Sequence, residues 1–268
     1  MNIVIVGRGK VGRAIEQALA EDGQHALTTM GKRLARVRLE AADVVVLAVP
    51  DGAIEAVADA VAPSLKKGSI VVHCAGARDT TPLVACARVG ARVSVMHPMV
   101  SFASARNPPT LQGKTFVVRG DAGAFPAIRE IARACGAEAV RADTTNPIYH
   151  ASAALAANGA AALAFFAVGL LTRIGLSKRQ AEHAVGGIVE SVGSNVRTVG
   201  VPQALTGPVA RGDVDTVERH RKGLRRAPKG PRSVYDAILP AIISTAEAAK
   251  LPRRHAKALR ALLSQRED

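Results

Sequence analysis

Residues 3–19 read IVIVGRGKVGRAIEQAL, and this stretch decides the fold. Ile3–Val6 is a β-branched strand signal, Gly7, Gly9 and Gly12 follow in the G-x-G-x-x-G spacing, and an amphipathic helix pattern starts directly after them. Strand, glycine turn and helix in that order open a dinucleotide-binding βαβ unit. Gly7 permits the tight turn, Gly9 lets the backbone approach a pyrophosphate, and Gly12 lets the helix pack close to the strand. The unpaired N–H groups at the helix start, around Lys10 and Val11, then face the anion. An ordinary glycine-rich turn is the alternative, and the flanking strand and helix patterns argue against it.

Further β-branched runs at His25–Thr29, Asp43–Val49, Ser69–His73, Arg92–Met96 and Thr115–Val118 alternate with Ala-rich helical stretches. That alternation predicts an α/β fold, a Rossmann-type parallel sheet covered by helices on both faces. After Asp143 the β-branched runs stop and the pattern is helical, broken at Gly200–Pro202, Gly207–Pro208 and Pro228–Pro231. The chain therefore divides, on its sequence, into residues 1–143, an α/β domain, and residues 144–268, an all-helical domain.

The 268 residues carry 36 Lys+Arg against 22 Asp+Glu, a net charge of +14, which directs attention to phosphate-bearing partners. Aromatics are only 3% with no Trp, too few to stack the bases of a single strand, so nucleic acid is not the favoured partner. The run from Arg221 to Arg232, basic and without an acid, is read as a solvated loop, and the segment from Leu251 as an exposed amphipathic helix. Cys74, Cys86 and Cys135 are odd in number and far apart, which suggests neither disulfides nor a metal site and fits a reducing cytoplasm. The opening MNIVIVGRG has no signal-peptide pattern. Ala151–Thr172 is uncharged and long enough to span a bilayer, but its favourable residues are few and Ser152, Asn158 and two glycines oppose them. The expectation is no membrane span but a helix buried all round, inside the domain or between two subunits.

An NAD-binding unit carries an acid at the end of the second strand for the ribose 2′-OH. Here the strand end reads TTMGKRLARVR, in which Thr29, Lys32 and Arg33, with Arg8 from the glycine loop, suit a 2′-phosphate; the expected cofactor is NADP. Val49 and Pro50 after one strand, and Cys74 and Ala75 after another, are expected to line the nicotinamide side. Asp51 reads as an N-cap for the following helix.

The glycine loop, VVVLAVPDGAI, HCAGA, MHPMVSF, YHASAALAAN and above all ALTGPVARGD followed by ERH resemble bacterial Rossmann-like proteins with a C-terminal domain of unknown function. Those proteins are relatives of pyrroline-5-carboxylate reductase, ketopantoate reductase and the β-hydroxyacid dehydrogenases. The resemblance implies an NADP-binding domain, a C-terminal domain of the 6-phosphogluconate dehydrogenase type that dimerises, and, for some members, ketopantoate reduction.

β-Hydroxyacid dehydrogenases carry a helical Lys as acid and, four residues later, an Asn that orients the substrate. Asn158 matches the Asn, but Ala154 stands where the Lys would be. His150 lies one turn further back and, after a drift of about 80°, shares a face with Asn158, which makes it a candidate acid. His97, after the fifth β-branched run, is a second candidate or else a turn residue, and Ser101 follows it in the same loop. Thr206 and Arg211 offer a hydroxyl and a guanidinium to a carboxylate, unless Arg211 pairs with Asp213, itself an N-cap candidate. The expectation is an oxidoreductase acting on a small anionic molecule in a crevice between its domains. The missing Lys leaves a second reading, a non-catalytic NADPH sensor with a basic surface for a protein or nucleic-acid partner.

Overall fold

The computed structural model describes residues 1–31, 39–227 and 229–264. They form two compact units, Met1–Ala154 and Leu155–Asp268. The division falls inside a long helix whose first two turns go with the sheet, later than the sequence-based cut at 143/144.

The first unit is built on seven strands: β1 Asn2–Val6, β2 Ala26–Met30, β3 Val44–Leu47, β4 Ile70–His73, β5 Arg92–Pro98, β6 Thr115–Gly120 and β7 Glu138–Arg141, in the order β2-β1-β3-β4-β5-β6-β7. Side chains alternate faces along a strand. Ile3, Ile5, Val44, Val46 and Val72 therefore pack on one face with Ile15 and Leu19 of α1 (Lys10–Asp22) and Ile128 and Ile131 of α4 (Phe125–Ala134). Val4, Val6, Val45, Leu47 and Val71 pack on the other, with Ile54, Ala58 and Val61 of α2 (Ile54–Val61) and Cys86 of α3 (Val84–Arg88). Each such side chain contributes about 1.5–3 kcal/mol by burial.

The sheet is mostly parallel, as the α/β reading expects, with one exception: β6 runs antiparallel to β5. A parallel return needs a crossover, usually helical, and residues 99–114 contain none. The chain then adds β7, parallel to β6, which the sequence analysis did not foresee. The order reverses between β1 and β3, so the glycine turn after β1 stands at the switch point, where ligands bind in open α/β sheets.

The helical unit continues α5 (Pro147–Arg173) through α6 (Lys178–Val199), α7 (Pro208–Arg211), α8 (Val214–Leu224), α9 (Lys229–Ala248) and α10 (Arg253–Ser264). Its core joins Val209, Val217, Leu239, Ile243, Leu259 and Leu262 from the last four. Ser177 opens α6 with a full capping box to Gln180, and Asp213 caps α8 as expected, accepting from Thr216 N at 3.0 Å.

Three expectations need correction. α5 buries no residue within the chain, with Leu155 79% and Phe165 75% exposed, so it is not the central helix of the unit. By length and composition it is the one helix among the described residues apolar enough to cross a membrane. α10 is not simply exposed, because Ala256, Leu259 and Leu262 form a buried face. Finally, Arg221 in the basic run is no solvated charge: it is buried, its Nε donates to Asp236 Oδ1 at 2.8 Å, and its Nη1 donates to the Leu262 carbonyl.

Candidate functional site

The glycine loop shows which glycines the protein needs for itself. Gly7 has φ +120°, and a Cβ there would lie 2.2 Å from the Ala48 carbonyl oxygen. A Cβ on Gly12 would lie 2.1 Å from the Gly7 oxygen, which is the close helix–strand approach expected of it. Gly9 is different: its φ is an ordinary −77°, and a methyl carbon added there would meet the Ala48 oxygen first, at 4.0 Å. Nothing internal requires glycine at 9, whereas a group seated on the loop would. Gly9 is also the N-cap of α1 and makes no side-chain cap, so the first-turn N–H groups, including those of Lys10 and Val11, are left for an anion. This donor set suits a pyrophosphate.

Arg8 reaches from the loop to the end of β2, its Nη2 donating to the Thr29 carbonyl at 3.3 Å, while Thr29 Oγ1 is buried with no hydrogen-bond partner. The described end of β2, Ala26–Gly31, carries no acid. Lys32 and Arg33 lie outside the described residues. Two further cations, which the sequence analysis passed over, stand beside Arg8: Arg13 from α1 and Arg106 line the same open cavity with Glu16. Ser104 Oγ accepts from the Arg106 and Asn107 N–H groups and fixes that loop.

Along the carboxyl edge, Val6, Leu47, His73 and Val95 are in register, so the residues that follow them stand side by side. Val49 is half-buried against the core and Pro50 is exposed. Asp51 is not the predicted N-cap: it starts a 3-10 turn, Asp51–Ala53, with Pro50 at the cap position and no side-chain cap bond. Its charge instead bears on His73 and His97. Cys74 is half-buried against the core, and burial pushes its thiol up to about 12. The Ala75 N–H donates to His73 Nδ1 at 3.2 Å, while His73 Nε2 faces the Asp79 carbonyl at 2.7 Å. Those partners fix His73 as the neutral Nε2–H tautomer, and burial lowers its pKa further.

His97 sits within β5, not after it, and Ser101 lies exposed in the following loop. The His97 ring packs where a Cβ on Gly76 would lie 2.6 Å from its Cε1, and its Nδ1 is 2.5 Å from Tyr149 Oη. Burial, with smaller contributions from His150 and His73 against an opposing Asp51, pushes the His97 pKa down to about 4. An imidazole that stays neutral at pH 7 is a poor direct acid, which weakens its sequence-based assignment. The depressed value also predicts a pH-dependent stability. Between about 6.5 and 4 the unfolded chain takes up a proton that the folded chain refuses, so stability present at neutral pH is lost as pH falls through this window. The loss is about 3 kcal/mol from His97, with His73 acting in the same direction. Urea unfolding at pH 7 and pH 4.5 should show the drop, and His97→Asn should shrink it.

The remaining candidates are exposed. His150 stands in the first turns of α5 beside Tyr149; Asn158, further along α5, is exposed rather than the buried carboxamide expected. Thr206 precedes α7 and Arg211 ends it. Asp213 is held by hydrogen bonds from Thr216, which keep its carboxyl below the usual range with help from Arg219 and Arg211.

The fold is a Rossmann-type α/β unit followed by a helical unit. Residues 114–242 match the family described as Domain of unknown function (DUF2520). Among solved structures it is similar to a protein from Thermotoga maritima at 24% identity, with 93% of this chain and 100% of that one covered and a TM-score of 0.65. It is also similar to a pyrroline carboxylate reductase from Plasmodium falciparum, solved with NADP bound, at 12% identity, 98% and 96% coverage and TM-score 0.58. An imine reductase from Streptomyces aurantiacus matches at 15% identity, 97% and 99% coverage and TM-score 0.60. No curated protein sequence matches it. These likenesses establish the fold.

Proposed function

We propose that the chain is an NADP-dependent reductase that delivers a hydride to the carbonyl or imine carbon of a small anionic substrate. The 2-oxo acids, ketopantoate among them, and cyclic imines are the classes to test. The observation that carries the reading is Gly9, whose Cβ position faces open space in the glycine turn at the switch point of the sheet, where a group seated on the loop would need a bare backbone. Two fold relatives named above, a reductase holding NADP and an imine reductase, agree with it.

In this reading the bound nicotinamide supplies the hydride. The glycine loop holds the pyrophosphate; Arg8 and Thr29, with Lys32 and Arg33, take the 2′-phosphate; and Val49, Pro50, Cys74 and Ala75 border the nicotinamide. Thr206 and Arg211 carry an exposed hydroxyl and guanidinium suited to a carboxylate, and Asn158 orients the substrate. The protein is proposed to act in the cytoplasm as a homodimer through its helical unit. Supporting this, α5 and α6 expose Leu155, Phe165, Ile188, Val192 and Val199, and the small residues of α5 allow a neighbouring helix to approach closely. NADPH oxidation followed against a panel of 2-oxo acids and cyclic imines should reveal a turned-over substrate, and NADPH should bind at least about tenfold tighter than NADH. Tighter binding of NADH would overturn the phosphate assignment.

A further inference from the structure

The hydrogen-bonded pair of Tyr149 and His97 takes no part in holding the cofactor or the substrate carboxylate. Both residues belong to the first unit. Tyr149 is set in the first turn of α5, where Asn146 Oδ1 accepts from the Ile148 N–H at 3.0 Å and the Asn146 carbonyl from the Tyr149 N–H at 2.9 Å. Its ring meets that of His97 edge-on, centroids 5.7 Å apart and planes at 79°. On its other side His97 lies in space that only a glycine at 76 leaves open. A hydroxyl is thus fixed by a helix start, an imidazole is fixed by a strand, and a backbone gap is kept for the ring. All of this stands at the carboxyl edge of the strands that carry the glycine loop.

Resting on the reductase reading, we propose that Tyr149 is the proton donor of the reduction and that His97 is its positioning residue and proton relay. With a proton on Nδ1, His97 donates to the phenolic oxygen and leaves the tyrosine's own hydrogen free to point at a substrate. As the hydride bonds to the carbonyl or imine carbon, the electron pair of the C=O or C=N bond moves to the heteroatom. That atom takes the proton as the Tyr149 O–H bond breaks. The phenolate then takes the Nδ1 proton of His97, and His97 Nε2 takes one from water. The sum is one hydride and one solvent proton added to the substrate, NADPH being oxidised to NADP. Burial favours both starting states, pushing the Tyr149 phenol up to about 12 and keeping His97 neutral. The charged and titratable groups bearing on His97 are His150, His73 and Asp51, so a pH profile must be read with those in mind.

The test compares the wild-type protein with Tyr149→Phe and His97→Asn. Tyr149→Phe should keep its fold and its NADPH affinity while kcat falls about 100-fold or more. His97→Asn should lose less and shift the pH dependence of kcat. A readout independent of turnover is the tautomer of His97 by nitrogen NMR at pH 7, expected as Nδ1–H in the wild type and changed in Tyr149→Phe. Wild-type turnover that Tyr149→Phe leaves undiminished would overturn the donor assignment alone, and an Nε2–H tautomer indifferent to Tyr149 would overturn the relay. A wild-type protein that oxidises NADPH with no member of the panel would instead overturn the reductase reading, and this step with it.

Discussion

Gly7→Ala is expected to destabilise the sheet unit by at least about 4 kcal/mol, and Gly12→Ala by a similar amount. At Gly7 two costs add: φ of +120° is a conformation that side chains rarely adopt, and the new methyl would stand 2.2 Å from the carbonyl oxygen of Ala48. That carbonyl belongs to the backbone that follows β3 and cannot rotate away as a side chain would. At Gly12 the obstacle is the Gly7 carbonyl at 2.1 Å, so relief would require α1 to lift from β1 and expose Ile15 and Leu19. A typical domain has only about 5–15 kcal/mol of stability. Either variant should therefore unfold at a markedly lower urea concentration or fail to accumulate, as circular dichroism would show.

The second large effect is expected in the helical unit. Asp236→Ala leaves the buried Arg221 guanidinium without the carboxylate that accepts its Nε at 2.8 Å and its Nη2 at 3.3 Å. Removing the carboxylate partner of a buried charge costs about 3 kcal/mol, more than removing both partners together. Arg232, whose Nε is 3.5 Å from the same carboxylate, loses that contact too. The double variant Arg221→Met, Asp236→Leu should recover much of the stability lost by Asp236→Ala. If the single and double variants melt alike, the buried pair is not what joins α8 to α9.

The contrast between these sites shows what the sequence could reveal. Central strands were legible because Ile3–Val6 and Val44–Leu47 are buried on both faces and read as continuous β-branched runs. The glycine loop was legible because its spacing is local. β7 was not, since EAVR has charged ends, lies at the sheet edge and buries almost nothing. The reversal of β6 depends on a connection that lacks a helix, an absence that no short motif announces. Arg221 looked like one of many surface cations because its partner lies 15 residues on, across a helix turn. Tyr149 was missed for the same reason: His97 is 52 residues away, and only the sheet's register brings that strand end to the start of α5. The exposure of α5 was undecidable between a buried helix and an interface, because its mostly apolar, uncharged middle serves either.

The reductase reading stands on Gly9 being kept open for a bound dinucleotide. Titrating NADPH into wild type and Gly9→Ala, beside urea unfolding of each, tests it directly. A methyl at 9 meets no internal atom nearer than 4.0 Å, so the variant should unfold like the wild type to within about 1 kcal/mol while its NADPH affinity falls at least about tenfold. Equal affinity in two equally stable proteins would contradict the claim, and with it the reductase built upon it.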